Sequence, residues 1–160
     1  MPTSAAAEPV IVRPLTAADH AAWHAMRVAL YGEAAPGAHA AELLAEIDMM
    51  LARDDWAAFA VEASDGALVG LIELFERNSA QSCTTSPVAY VEGLWVAEGW
   101  RRTGMARRLV DAGIAWARAR RRSEMASDVQ LSNLISQAVH EHLGFEETER
   151  LVTYRLPLDD

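Results

Sequence analysis

Residues 89–118 read AYVEGLWVAEGWRRTGMARRLVDAGIAWAR, and the two ends of this stretch repeat at different periods. Tyr90 to Val96 is rich in aromatic and β-branched residues, as a strand is. Ala106, Leu109, Val110, Gly113, Ile114 and Ala117 follow the i, i+3, i+4 rule of a helix that lays one face on a sheet. Between strand and helix lie Arg101, Arg102, Thr103, Gly104, Met105 and Ala106. A glycine and a small residue there let successive backbone N–H groups face an anion at the helix start, and a diphosphate suits such a turn. The Walker lysine and the three-glycine dinucleotide fingerprint are absent.

Working outward, Val10 to Arg13 reads as a first strand. Thr16 and Asp19 read as a helix cap before an apolar face of Ala22, Trp23, Met26 and Leu30, closed by Tyr31. Gly32 to Gly37 breaks the pattern, and a second helix follows with Leu43, Leu44, Ile47, Met50 and Leu51 on one side. Trp56 to Glu62 and Leu68 to Phe75 are strands joined through Ser64, Asp65 and Gly66, a hairpin signal. Arg77 to Ser86 is polar loop. Beyond the central helix, Glu124 to Ser127 predicts a short strand and Asp128 to Ser132 a connection. A helix from Asn133 follows, with Ile135, Ala138, Val139 and Leu143 sharing a face, and Gly144 stops it. Phe145 to Leu156 predicts one or two final strands. The order is that of a mixed α/β (α+β) fold, and 160 residues suit a single domain over 1–160.

Half the residues are hydrophobic, which argues against disorder. The first ten residues lack the basic and apolar regions of a leader, and no run has the length of a membrane span, so a cytoplasmic protein with no membrane partner is expected. A lone cysteine, Cys83, excludes an internal disulfide and a cysteine-based zinc site, and no metal is expected. No base accompanies it to support a covalent acyl-cysteine route. The formal net charge of −9 disfavours nucleic acid and favours cationic ligands. Each of the fourteen basic residues apart from histidine is arginine, and eight of them cluster at 101, 102, 107, 108, 118 and 120–122. Arg118 to Arg122 suit a solvated helix end, where the dipole favours cations. Arg101, Arg102 and Arg107 flank the phosphate turn.

The Arg-x-x-Gly-x-Ala turn, between a strand ending LWV and an amphipathic helix, resembles the acetyl-CoA pyrophosphate loop of the GNAT superfamily of N-acetyltransferases. The blocks SPVAYVEGLWV, RRTGMARRLV and MASDVQLSNLISQAVHEHLGFEETERLVTYR together resemble the smaller, dimeric aminoglycoside 6'-N-acetyltransferases of bacteria, over most of residues 86–155. The resemblance implies a GNAT fold, with a mostly antiparallel central sheet flanked by helices and central strands splayed to admit acetyl-CoA. It also implies a homodimer, built through sheet edges or the C-terminal strands. By the same resemblance Glu92, Asp128 and Glu149 contact the aminoglycoside. Leu94, Trp95 and Val96 offer backbone to the pantetheine arm, Arg101 to Arg107 hold the diphosphate, and Asn133 makes a polar contact to the cofactor. Tyr31 falls where relatives have a tryptophan lining the acceptor pocket, and Ala34 lies near a position of histidine. The loop ERNSAQSCTT lacks the tyrosine that relatives stack on the sugar; Phe75 or Glu76 is the expected substitute, which places Glu76 among the substrate-binding residues.

Three carboxylates suit a ligand with several ammonium groups. A carboxylate inside a central strand, as at Glu92, needs a reason to be there. The amine must be neutral to attack, so Glu92 is the candidate base, directly or through a water, or else binds and orients the ammonium. A backbone N–H near Leu94, exposed by a bulge, would hold the oxyanion. Relatives across the superfamily protonate the leaving thiolate with a tyrosine four residues before the Gly-Phe; here that position is His140, with Tyr154 as the alternative. The reaction expected is direct acetyl transfer from acetyl-CoA to a 6'-amine. Acceptors such as another polyamine or a protein N-terminus form a second reading, and a noncatalytic acyl-CoA-binding module a third.

Overall fold

The computed structural model describes residues 9–32 and 40–158, in two units that divide at Ser127/Asp128. The alanine-rich start, Ala34 and Gly37 lie outside the described residues. In chain order the first unit holds strand β1 (Ile11–Pro14), helices α1 (His20–Tyr31) and α2 (Ala40–Leu51), and strands β2 (Trp56–Glu62), β3 (Leu68–Arg77) and β4 (Val88–Val96). Helix α3 (Met105–Ala119) and strand β5 (Met125–Ser127) complete it. The strands form one sheet in the order β1-β2-β3-β4-β5. All neighbours are antiparallel except β4 and β5, which run parallel.

Alternation along β3 assigns the two faces. Leu71, Glu73 and Phe75 face α1 and α2, where Leu71 joins Leu15, Trp23, Met26, Ile47, Met50, Ala58 and Ala60 in one core. Ile72 and Leu74 face α3, and Leu74 lies 3.2 Å from where a Cβ on Gly113 would be. On the sheet side a Cβ on Gly70 would likewise lie 3.1 Å from Leu109. The small residues let α3 settle deeply, and Leu109 and Val110 become fully buried, each contributing roughly 1.5–3 kcal/mol. Met105, Gly113 and Ala117 complete that face; Ala106 and Ile114 are half-buried.

Several boundaries follow the residues closely. Asp19 accepts from the Thr16 N–H at 2.9 Å, although the turn it caps is a short 3-10 segment that leads into α1. The hairpin closes with Gly66 at φ +85°. Strand β3 runs two residues past Phe75, because Glu76 and Arg77 pair with Ala89 and Val88.

The second unit contains helix α4 (Leu134–Leu143), capped by Asn133, whose side chain accepts from the Ser136 N–H at 3.0 Å. Gly144, at φ +97°, ends it as expected. Two expectations fail here. Ile135 and Ala138 are exposed, and Leu143 is the buried residue of the helix. Residues 145–158 form no strand, because a strand needs a ladder partner and none is paired with this segment. Its apolar residues from Leu151 onward stand in solvent, Tyr154 92% exposed.

Candidate active site

The register between β3 and β4 slips once. Leu74 pairs with Val91 and Glu73 with Gly93, so Glu92 has no partner on β3 and forms a bulge. Strand β5 pairs only with Ala89, Tyr90 and Val91. From Glu92 to Val96, therefore, the far edge of β4 is uncovered by any strand among the described residues. Phase along that edge follows from one bond: the Ala97 N–H donates to the Val69 carbonyl at 2.9 Å. Odd-numbered residues 93 to 97 thus direct their backbone groups at β3, and Leu94 and Val96 direct theirs at the open edge. The Val96 carbonyl there accepts from Arg101 Nε at 3.1 Å, which ties the phosphate turn to the strand end.

The turn has two left-handed residues, Arg102 at φ +62° and Gly104 at φ +86°. They turn the chain into α3, whose first N–H groups have no intrahelical acceptors. Arg101, Arg102, Thr103 and Gly104 are exposed and Ala106 and Arg107 half-buried, while Met105 is buried and anchors the helix start. The Thr103 hydroxyl donates to the Trp100 carbonyl at 2.5 Å. This is an arrangement for an anion, with donors, dipole and guanidinium groups at one place.

On the α1 side, a buried group underlies the bulge that the residue pattern did not reveal. Glu73 is fully buried and accepts four hydrogen bonds from three donors: Trp23 Nε1 at 2.7 Å, Arg27 Nη1 at 2.6 Å to each oxygen, and the Tyr31 hydroxyl at 3.1 Å. Arg27 also pairs with Glu46. Trp23, Arg27 and Tyr31 recur every four residues on one face of α1, and a carboxylate in the run LVGLIELF was the signal available for their partner. The Tyr31 hydroxyl lies equally 3.1 Å from the Glu92 carbonyl, so it bridges the buried carboxylate and the bulge. Burial, with Glu73 alongside, pushes the phenol far above its usual range and keeps it a donor. A Cβ on Gly93 would lie 2.5 Å from that hydroxyl oxygen. Glycine is what lets α1 and β4 meet here.

The Glu92 carboxylate accepts from Arg77 in two parallel bonds, Nε and Nη2 each at 2.8 Å. The same guanidinium lies on the Tyr90 ring, 3.5 Å from its centre. A shallow depression of about 350 Å³ opens beyond it, with Arg53, Asp55, Phe75 and Arg77 in its wall.

Glu76 needs correction. It faces the α3 side, and its carboxylate is taken by Arg120 Nη2 at 2.8 Å and Arg122 Nε at 2.5 Å. It is a structural partner of the arginines after α3, and those arginines are not a merely solvated helix end. Nor does Phe75 stand free for a sugar: it stacks on Trp56 at 4.7 Å. The loop before β4 is held through Thr84 and Thr85, whose N–H groups donate to Glu124 at 2.9 and 2.7 Å. Burial, and next the Glu124 charge, raise the Cys83 thiol, the reverse of an activated nucleophile.

In the second unit Asp128, Asn133, Glu149 and Tyr154 are exposed. His140 is half-buried, with Nδ1 donating to the Ser136 carbonyl at 2.8 Å and the ring against Phe145. That bond places the neutral ring's hydrogen on Nδ1. Among the described residues no group of three or more His, Cys, Asp or Glu side chains is placed to hold a metal ion, and no helix is long and apolar enough to cross a membrane.

A bulged, half-uncovered β4 followed by an anion-binding helix start is the frame of an acyl-CoA-dependent transferase, and the acetyltransferase (GNAT) family matches residues 20–145. The chain belongs to that family and is an acetyltransferase. It is similar to the aminoglycoside N(6')-acetyltransferase type 1 of Serratia marcescens, 42% identical over 86% of this chain and 92% of the relative. That of Stenotrophomonas maltophilia is 37% identical, over 92% and 94%. Among solved structures, AAC(6')-Iy in complex with the bisubstrate analogue CoA-S-monomethyl-acetylneamine superposes with a TM-score of 0.86 at 33% identity, covering 93% of this chain and 99% of that one. AAC(6')-Ih from Acinetobacter baumannii gives 0.87 at 29% identity, covering 94% and 100%.

Proposed function

We propose that the protein transfers acetyl from acetyl-CoA to the 6'-amino group of aminoglycosides, and so confers resistance. The observation that carries this reading is the Glu92 bulge, which sets a carboxylate beside an open strand edge in a chain whose relatives are aminoglycoside N(6')-acetyltransferases.

Acetyl-CoA fits the edge and turn. The backbone groups of Leu94 and Val96 pair with the pantetheine amides, and Trp95 lies between them on the strand. Arg101, Arg102 and Arg107, with the N–H groups of residues 103–106, hold the diphosphate. The neutral amine attacks the thioester carbonyl, forming the N–C bond. The Leu94 N–H holds the oxyanion, which collapses with cleavage of the C–S bond. Glu92 orients the incoming ammonium and accepts its proton through a water, using lone pairs that Arg77 leaves available, and the second proton, shed by the nitrogen after it attacks, passes to solvent water. The thiolate takes a proton from His140 or Tyr154. With its Nδ1 hydrogen directed at Ser136, His140 performs that task as the imidazolium. Contacts of Asp128 and Glu149 with the acceptor, and of Asn133 with CoA, are separate proposals, each open to its own substitution.

We further propose a single catalytic domain over 1–160, supported by a family match that runs across the division at residue 127. A cytoplasmic location follows the supply of acetyl-CoA. A homodimer is supported by the exposed apolar residues Leu151, Val152, Leu156 and Leu158.

The test is release of CoA thiol with acetyl-CoA and kanamycin, beside paromomycin, which has a hydroxyl at the 6' position. Turnover with kanamycin and none with paromomycin is expected. Turnover with neither, but with a polyamine or peptide amine, would transfer the reading to those acceptors; no turnover with any amine would leave a binding module.

A further inference from the structure

A carboxylate that attracts an ammonium also holds its proton on, and a protonated amine does not attack. Glu92 alone would bind the acceptor in its unreactive form. The structure sets a second charge at that spot. Arg77 reaches back from the end of β3 and covers both Glu92 oxygens with bonds of 2.8 Å, the fork-to-fork geometry that fixes a guanidinium most firmly. The Tyr90 ring supports it from beneath, 3.5 Å away. The Glu92 side chain is 19% and the Arg77 side chain 38% exposed, so solvent screens the pair in part and from the Arg77 side.

Among the described residues the other charged groups near the bulge have partners of their own, Arg53 and Asp55 of the adjoining depression with each other. From α1, Tyr31 is held neutral and Arg27 pairs with Glu73 of β3 and Glu46 of α2. From β4 the neighbour is Tyr90. Arg77 is the cation in direct contact with the Glu92 carboxylate.

We propose that Arg77 tunes the proton state of the acceptor amine: by standing as a permanent counter-charge on Glu92, it lets the carboxylate orient an amine without trapping it as the ammonium. Arg77 touches neither acetyl-CoA nor the reacting atoms; it is a positioning residue that acts through Glu92. Guanidinium suits the task because it stays charged at every working pH, as lysine beside a carboxylate also does but without the bidentate hold. A full charge at this range moves an amine by about one to two pH units at an effective dielectric near 20.

This inference rests on the reading of Glu92 as the residue that meets the acceptor. The experiment is the pH profile of kcat at saturating acetyl-CoA for the wild type, Arg77→Gln and Arg77→Lys, with whichever amine the wild type turns over. The rising limb of Arg77→Gln is expected about one unit higher, so that its loss at pH 6 exceeds its loss at pH 9 about tenfold, and Arg77→Lys is expected to bring the limb back towards the wild type. Loss by the same factor at every pH would overturn the proposal and leave Arg77 a structural residue. A wild type inactive on 6'-amines but active on another amine would overturn the substrate reading alone. Should Arg77→Gln not fold, the wild type decides: the 15N shift of the labelled acceptor amine, titrated in the dead-end complex with CoA, is expected to show a pKa no higher than that of the free amine. A rise of a unit or more would overturn the proposal.

Discussion

Glu73 and Glu76 are three residues apart on β3 and face opposite sides of the sheet, and their partners differ accordingly. Arg120, and next Arg122, hold the Glu76 carboxyl down to about 2, below its ordinary 4.5. A depressed carboxylate stabilises the fold above the unfolded value and loses that contribution as pH falls through the folded one. In thermal melts at pH 7, Glu76→Gln is expected to be less stable by about 1–2 kcal/mol, the worth of a charge-assisted hydrogen bond. The gap should close as the pH is lowered from 5 towards 2. Equal melting at pH 7 would show that the arginines find other partners. Neither carboxylate's role is visible in composition: a strand glutamate is anomalous, but which face it takes depends on the register of its neighbours.

Helix α1 and strand β4 meet at one place, where Tyr31 bridges Glu73 and the Glu92 carbonyl over a glycine. A Cβ at Gly93 would stand 2.5 Å from the hydroxyl and 2.8 Å from Leu30, and the hydroxyl cannot retreat without abandoning a buried carboxylate. Gly93→Ala is expected to lower the melting temperature by several degrees and acetyl transfer at least tenfold. Adding Tyr31→Phe, which removes the obstructing oxygen, should restore part of the stability. Melting of the single and double variants alike at the wild-type temperature would mean that the contact yields freely. The element boundaries around this junction were legible because periodicity and turn chemistry are local. The resemblance implies Tyr31 in an acceptor pocket; that its hydroxyl is held between β3 and β4 is a contact that no local pattern encodes.

At the scale of the molecule, a chain of net charge −9 carries an extended C-terminal segment rich in exposed apolar residues, with Leu156 79% and Leu158 84% exposed. Apolar side chains at this density are a surface in want of a partner, and a second copy is the one the proposed assembly supplies. Light scattering coupled to size exclusion is expected to give twice the 17.5 kDa chain mass, and Leu156→Asp to shift it towards the monomer. A monomeric wild type would remove the dimer from the proposal.

The residues alone carried the strand–turn–helix of 89–118, the hairpin, the sheet-facing side of α3 and the family, since each rests on neighbours within a few turns of chain. The Glu73 cluster, the Arg77 clasp and the pairing of Glu76 with arginines more than forty residues away came from the folded molecule, which also set at Glu92 the bulge expected near Leu94. Register slips, and the choice of partner for a buried charge, depend on residues brought together from distant parts of the chain. The strands expected over 145–156 do not form for the same reason: alternation marks a segment able to be a strand, and a ladder partner is what makes it one.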